Sequence, residues 1–155
     1  MKYFIGNWKM FGVPKSINIL HKINYYYSKD KNRRKYRVII TPPYTLIESY
    51  AKYFKKKKII IGSQNCYQKD QFSSNTAAIS PYMIKRVGAN YTLVGHSDNR
   101  SEGDTNEMLK NKVHFALKNN LKVVFCIGEN KKEKKNKKTF SVLKKQLSKV
   151  LEKKF

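Results

Sequence analysis

Short runs of apolar, mostly β-branched residues alternate with longer stretches in which apolar side chains recur every three or four positions. The short runs are Tyr3–Asn7, Tyr36–Thr41, Ile59–Ser63, Tyr91–Val94 and Lys122–Ile127. They start at residues 3, 36, 59, 91 and 122, which is 23 to 33 residues apart. Unbroken runs such as Val38-Ile39-Ile40 and Val123-Val124-Phe125 predict strands covered on both faces.

Amphipathic stretches fit between these strands. Ile17, Leu20 and Ile23 share a helical face, as do Leu46/Ile47, Tyr50/Ala51 and Phe54. Leu109, Val113, Ala116 and Leu117 form a third stripe; Phe140, Leu143, Leu147 and Val150/Leu151 form a fourth. Pro14 and Pro43 sit where helices can start, Ser80-Pro81 reads as a cap and first-turn proline, and Asn119-Asn120 reads as a stop. Strand–helix alternation of this kind predicts an α/β fold of five βα units, with parallel strands and right-handed crossovers. No linker divides the chain, so residues 1–155 read as one domain.

Composition changes little of this. No apolar run approaches a membrane span, and Tyr3-Phe4-Ile5 is too short for a signal peptide, which predicts a cytoplasmic protein. Cys66 and Cys126 stand alone and read as reduced thiols. The formal net charge of +24 invites a nucleic-acid reading. Yet arginine, the side chain suited to reading bases, supplies only five of the 34 cations. Abundant Lys, Asn, Ile, Tyr and Phe are what AT-rich codons specify, so compositional drift is the preferred account. Nonspecific binding to polyanions is expected on either account.

In a parallel α/β fold the chemistry gathers beyond the carboxyl ends of the strands. Those positions hold Asn7-Trp8-Lys9, Thr41-Pro42-Pro43, Gln64-Asn65-Cys66, His96-Ser97-Asp98 and Cys126-Ile127-Gly128-Glu129. Lys9, two residues past an apolar strand, offers a fixed charge for a phosphate or an oxyanion; a surface lysine that only solvates the fold would read the same way. His96 follows Gly95, which permits a sharp turn, and Ser97 can cap a short helix over Asp98–Arg100. A histidine at a helix N-terminus is favoured as the neutral ring, able to donate a hydrogen bond. His21 and His114 lie within helical stretches and read as structural. No cluster has metal-ligand spacing.

Phe4-Ile5-Gly6-Asn7-Trp8-Lys9-Met10, Gly62-Ser63-Gln64-Asn65-Cys66, Ile79-Ser80-Pro81-Tyr82-Met83, Val94-Gly95-His96-Ser97 and Phe125-Cys126-Ile127-Gly128-Glu129 together resemble the triosephosphate isomerases, in order and in spacing. The resemblance implies a partial (β/α)8 TIM barrel with outer helices, usually a dimer. It also implies interconversion of dihydroxyacetone phosphate and glyceraldehyde 3-phosphate, in glycolysis and gluconeogenesis, without metal or organic cofactor. Asn7 and Lys9 match the substrate-binding asparagine and lysine. His96 matches the electrophile, with Ser97, Asp98 and Cys126 in support. Thr76 matches the loop residue that enters a partner's site.

The departures are local. The family's glutamate–arginine pair after the serine is Asp98-Asn99 here, and the aspartate is one methylene shorter in its reach towards Lys9. The loop Thr-Gly-Glu is Thr76-Ala77-Ala78, so both members of a charge pair across the dimer are replaced. The family needs about 250 residues. The sixth strand with its glutamate base therefore has no counterpart up to Phe155. Three expectations follow: an isomerase completed from outside these residues, by a longer product or a complementing C-terminal fragment; an inactive truncated remnant; or a basic nucleic-acid-binding module.

Overall fold

The computed structural model describes residues 1–151; Phe155, where the sequence ends, lies outside them. Strands β1 (Lys2–Asn7), β2 (Tyr36–Thr41), β3 (Ile60–Ser63), β4 (Tyr91–Val94) and β5 (Lys122–Phe125) form one five-stranded sheet. They pair in parallel in their order along the chain, as crossover units demand. Helices α1 (Ile17–Lys29), α2 (Tyr44–Phe54), α3 (Pro81–Arg86), α4 (Ser97–Ser101), α5 (Asn106–Lys118), α6 (Lys131–Lys135) and α7 (Thr139–Val150) lie between and after them. The result is an arc of a TIM barrel with its helices outside. Among the described residues no helix is long and apolar enough to cross a membrane.

The core lies between sheet and helices. α2 buries Leu46, Ile47, Tyr50, Ala51 and Phe54, the spacing that its sequence predicts. Leu20, Ile84, Leu109 and Ala116 are fully buried from α1, α3 and α5, each leucine stabilising the packed state by about 2 kcal/mol. The Ser80 side chain accepts the Met83 N–H, so the cap ahead of Pro81 forms as expected. Asn119 ends α5, with Asn120 at φ 57°.

Four expectations are corrected. β3 starts at Ile60 and β5 stops at Phe125, each inside its predicted bounds. Val123, Val124 and Phe125 are only half-buried at the last position of the sheet among the described residues, so a continuous apolar run does not mean two covered faces here. The lysine-rich stretch after Asn130 opens with a short helix. Asn130 accepts the Glu133 N–H while Glu133 accepts the Asn130 N–H, and this capping box starts α6. Phe140 does not share the packed face of α7; it is 88% exposed. The Gln146 carboxamide sets the helix rotation by donating to the Gly128 carbonyl at 2.8 Å and accepting the Gly128 N–H at 2.9 Å. Val150 then points inward and Phe140 outward.

Candidate active site

β1 delivers Lys9 to the carboxyl rim of the sheet. The chain reverses there with Lys9 at φ 55°, a left-handed conformation that costs an L-residue about 1 kcal/mol. Two side chains hold it. The Asn7 carboxamide oxygen accepts the Lys9 N–H at 2.9 Å. The Gln64 Nε2 donates to the Lys9 carbonyl at 2.8 Å and to the Thr41 carbonyl at 2.9 Å. At about 1 kcal/mol each, these hydrogen bonds outweigh the backbone strain. Asn7 therefore acts first on the backbone, and its NH2 group is the part left to offer a ligand.

β4 delivers His96. Gly95 turns the chain at φ 78°, and a side chain there would meet the Arg100 guanidinium at 2.9 Å. His96, with extended backbone, is the N-cap of α4, and its Nδ1 accepts the Asp98 N–H at 3.2 Å. Ser97, the expected cap, is instead the first helical residue, because the turn at Gly95 already places residue 96 at the helix boundary. This cap assigns the tautomer. With the Nδ1 lone pair engaged, the neutral ring carries its proton on Nε2.

Lys9 Nζ lies 3.1 Å from that Nε2 and 2.7 Å from Asp98 Oδ2. The shorter aspartate thus does reach the lysine. The lysine bond holds the Asp98 carboxyl below the ordinary aspartate value of 3.8. The pair is open to solvent, the two side chains being 44% and 57% exposed. In that tautomer Lys9 and His96 bring two donors side by side at the rim. An oxygen bearing negative charge, placed beside the two, would accept from both. Solvent screening leaves an exposed ion pair of this kind weak.

The remaining predicted residues divide. The Cys126 thiol is half-buried, and burial raises its pKa. Its carbonyl accepts from Arg100 Nη2 at 3.1 Å, which ties the end of β5 to the loop carrying His96. Ser97 is exposed and at most touches Asp98 Oδ1, at 3.4 Å. Thr76 stands on an exposed loop whose base is closed by the Tyr67 N–H donating to the Ile79 carbonyl. Among the described residues no hydrogen bond joins Thr76 to Lys9 or His96. His21 packs edge-on against Tyr53 and the exposed His114 against Phe115, both within helices rather than at the rim. No three His, Cys, Asp or Glu side chains among the described residues are placed to hold a metal.

Sequence reasoning assigned no role to Gln64, Arg100 or the Lys112 cluster. Buried Lys112 meets both oxygens of Asp104 at 2.7 Å and Asn65 Oδ1 at 3.1 Å, just behind the end of β3. Their position at or behind the rim is a signal; their side-chain partners, 5 to 55 residues away, are not visible in the sequence.

The triosephosphate isomerase family model matches residues 2–154. The triosephosphate isomerase of Wolbachia pipientis wMel is 34% identical over 140 residues, covering 90% of this chain and 54% of the relative. That of Alkaliphilus oremlandii is 34% identical over 145 residues, covering 92% and 56%. The crystal structure of the Bartonella henselae triosephosphate isomerase superposes with a TM-score of 0.92 at 30% identity, over 99% of this chain and 63% of that one. The chain spans a little over half the length of the curated relatives it matches. With the rim at Lys9 and His96 in place and the family match running along nearly all of it, this chain belongs to the triosephosphate isomerase family.

Proposed function

We propose that this chain provides the electrophilic half of a triose phosphate isomerase site. The observation that carries the reading is the approach of Lys9 Nζ and His96 Nε2 to 3.1 Å at the rim. The site takes dihydroxyacetone phosphate or glyceraldehyde 3-phosphate in the cytoplasm. His96 donates from Nε2 to the substrate carbonyl, and Lys9 balances the charge that collects on that oxygen and on the phosphate. Abstraction of the carbon-bound proton then gives an enediolate, and the proton returns to the neighbouring carbon.

That transfer requires a base within hydrogen-bond reach of both carbons. Asp98 is a poor candidate, since its carboxylate is bonded to Lys9 and kept weakly basic by it. We assign the base to a glutamate outside residues 1–155, in the same product or in a complementing fragment. A homodimer that brings Thr76 to a neighbouring site is part of the same reading.

The test compares the purified 155-residue chain with the product isolated from the native source. Both are assayed for interconversion of the two triose phosphates in deuterated water. Turnover with solvent deuterium on the reacting carbon is expected from the native product, and none from the isolated chain. A native product that leaves both triose phosphates unchanged overturns the assignment. Full turnover by the isolated chain overturns the external base.

A further inference from the structure

Arg100 makes three donations, and all of them frame His96. Its backbone N–H donates to the His96 carbonyl at 3.0 Å. Its Nε donates to the Gly95 carbonyl at 2.8 Å, and its Nη2 to the Cys126 carbonyl at 3.1 Å. The carbonyls of the two peptide groups flanking the histidine are therefore held by one residue. The third bond fixes both to the end of β5, beside which the guanidinium lies 5.6 Å from the Phe125 ring centre.

The anchoring is directional. A guanidinium is planar and rigid, with its donors at fixed angles, so two carbonyls bonded to Nε and Nη2 are fixed relative to each other in distance and in plane. A lysine at the same place would keep the charge and lose the fork. Gly95 is fitted to the same group, since a Cβ there would stand 2.9 Å from Arg100 Nη2. The bonds are made where the geometry matters most. The His96 ring is aimed by its backbone and by its cap to the Asp98 N–H, and α4 has only five residues to hold that cap in place. A short helix frays easily without outside support.

We propose that Arg100 is a positioning residue for His96: by clamping the Gly95 and Cys126 carbonyls it fixes the direction in which Nε2 presents its proton. The catalytic part of this inference rests on the function proposed above; the positioning part does not. Releasing the clamp lets the Gly95 turn relax and the Nδ1 cap lengthen. His96 then samples both tautomers, and the ring no longer shares an acceptor with Lys9. A misplacement of about 1 Å in such a donor can lower a rate roughly a hundredfold.

The test uses Arg100→Lys, and Arg100→Ala with and without added guanidinium ion. The first readout is the imidazole 15N spectrum of the 155-residue chain, with His21 and His114 as internal controls. Wild type is expected to show His96 as one tautomer, protonated on Nε2. Arg100→Lys is expected to show averaging between tautomers at His96 alone, and guanidinium is expected to restore the single form in Arg100→Ala. The second readout is kinetic, on the native-length product: kcat falls roughly ten- to a hundredfold with KM nearly unchanged. An unchanged His96 tautomer in a folded Arg100→Lys chain overturns the proposal, as does a defect spread equally over all three histidines. If the native product shows no turnover, the function proposed above fails, and the spectrum alone decides the role of Arg100.

Discussion

Lys9 and Asp98 meet at 2.7 Å across the rim, one from the end of β1 and the other from the first turn of α4. The contact joins the first unit of the sheet to the fourth and keeps the lysine extended over the position where His96 points. It also gives the site a titratable switch on the acid side. Asp98 is held below 3.8 chiefly by its bond to Lys9. Whatever stability the pair contributes is present above the ordinary aspartate value and is lost as the pH falls through the lower folded value. The melting temperatures of wild type and Asp98→Asn are therefore expected to differ at neutral pH and to converge as the pH falls below the lowered folded value. A difference that stays constant down to acid pH would show that the carboxylate contributes nothing through its charge.

The two thiols are expected to behave differently towards an aromatic disulfide reagent. Cys66 is buried, and burial pushes its thiol up to about 12. Cys126 is half-buried and raised less decisively, with the positive charges of Arg100 and Lys9 opposing the shift. At mildly alkaline pH the native chain should release one equivalent of chromophore, slowly, and the unfolded chain two. Mass mapping should place the native label on Cys126. A label on Cys66 under native conditions would mean that the sheet–α5 interface opens far more readily than its packing suggests.

Lys112 and Asp104 form an ion pair with only 5% and 8% of their side chains exposed. Replacing Lys112 by Met leaves a carboxylate buried without its cation, which costs about 3–5 kcal/mol. Lys112→Met with Asp104→Leu removes both charges and should recover much of that loss. Urea unfolding of the wild type, both single variants and the double variant gives the coupling. Additive losses would mean that the two charges do not depend on each other.

The strands and the rim were legible because each carries a local signature. A β-branched run followed by a polar residue marks both the strand and its rim end, and Asn7, Lys9, His96 and Cys126 all fall at such ends. Where the outcome turned on a side chain bonding to distant backbone, the sequence was mute. The helix at residue 97 is capped by His96 rather than Ser97 because of the φ at Gly95. The outward rotation of Phe140 follows from Gln146 gripping Gly128, 18 residues back. Asp98 reaches Lys9 because the Lys9 backbone is pulled into a left-handed turn by Gln64, and counting methylenes alone does not reveal that. The lysine-rich stretches 55–58 and 131–138 differ in the structure: one places Lys57 3.8 Å from the Tyr53 ring centre and the other contributes a capped helix after Asn130.

Gln64 gives the sharpest test of how the rim is held. Its NH2 group is the only part that can serve two carbonyls at once, those of Lys9 and Thr41. Gln64→Glu replaces the donor with a carboxylate facing two carbonyl oxygens, and the expected loss is about 1–3 kcal/mol at neutral pH. The sign of its pH dependence is opposite to that of Asp98. The new carboxyl is stabilised in its protonated form, which can donate, so its folded pKa is raised above the ordinary glutamate value of about 4.3. The protonated acid recovers one of the two bonds. Stability relative to wild type should therefore rise as the pH falls through the raised folded value, and it should be lost again as the pH returns to neutral. Gln64→Met, which removes the donors without adding charge, should show a loss that does not vary with pH over the same window. Equilibrium urea unfolding of the three proteins between about pH 4 and pH 8 separates these outcomes. If Gln64→Glu and Gln64→Met both match wild type at every pH, the carboxamide is not what holds Lys9 in its left-handed turn.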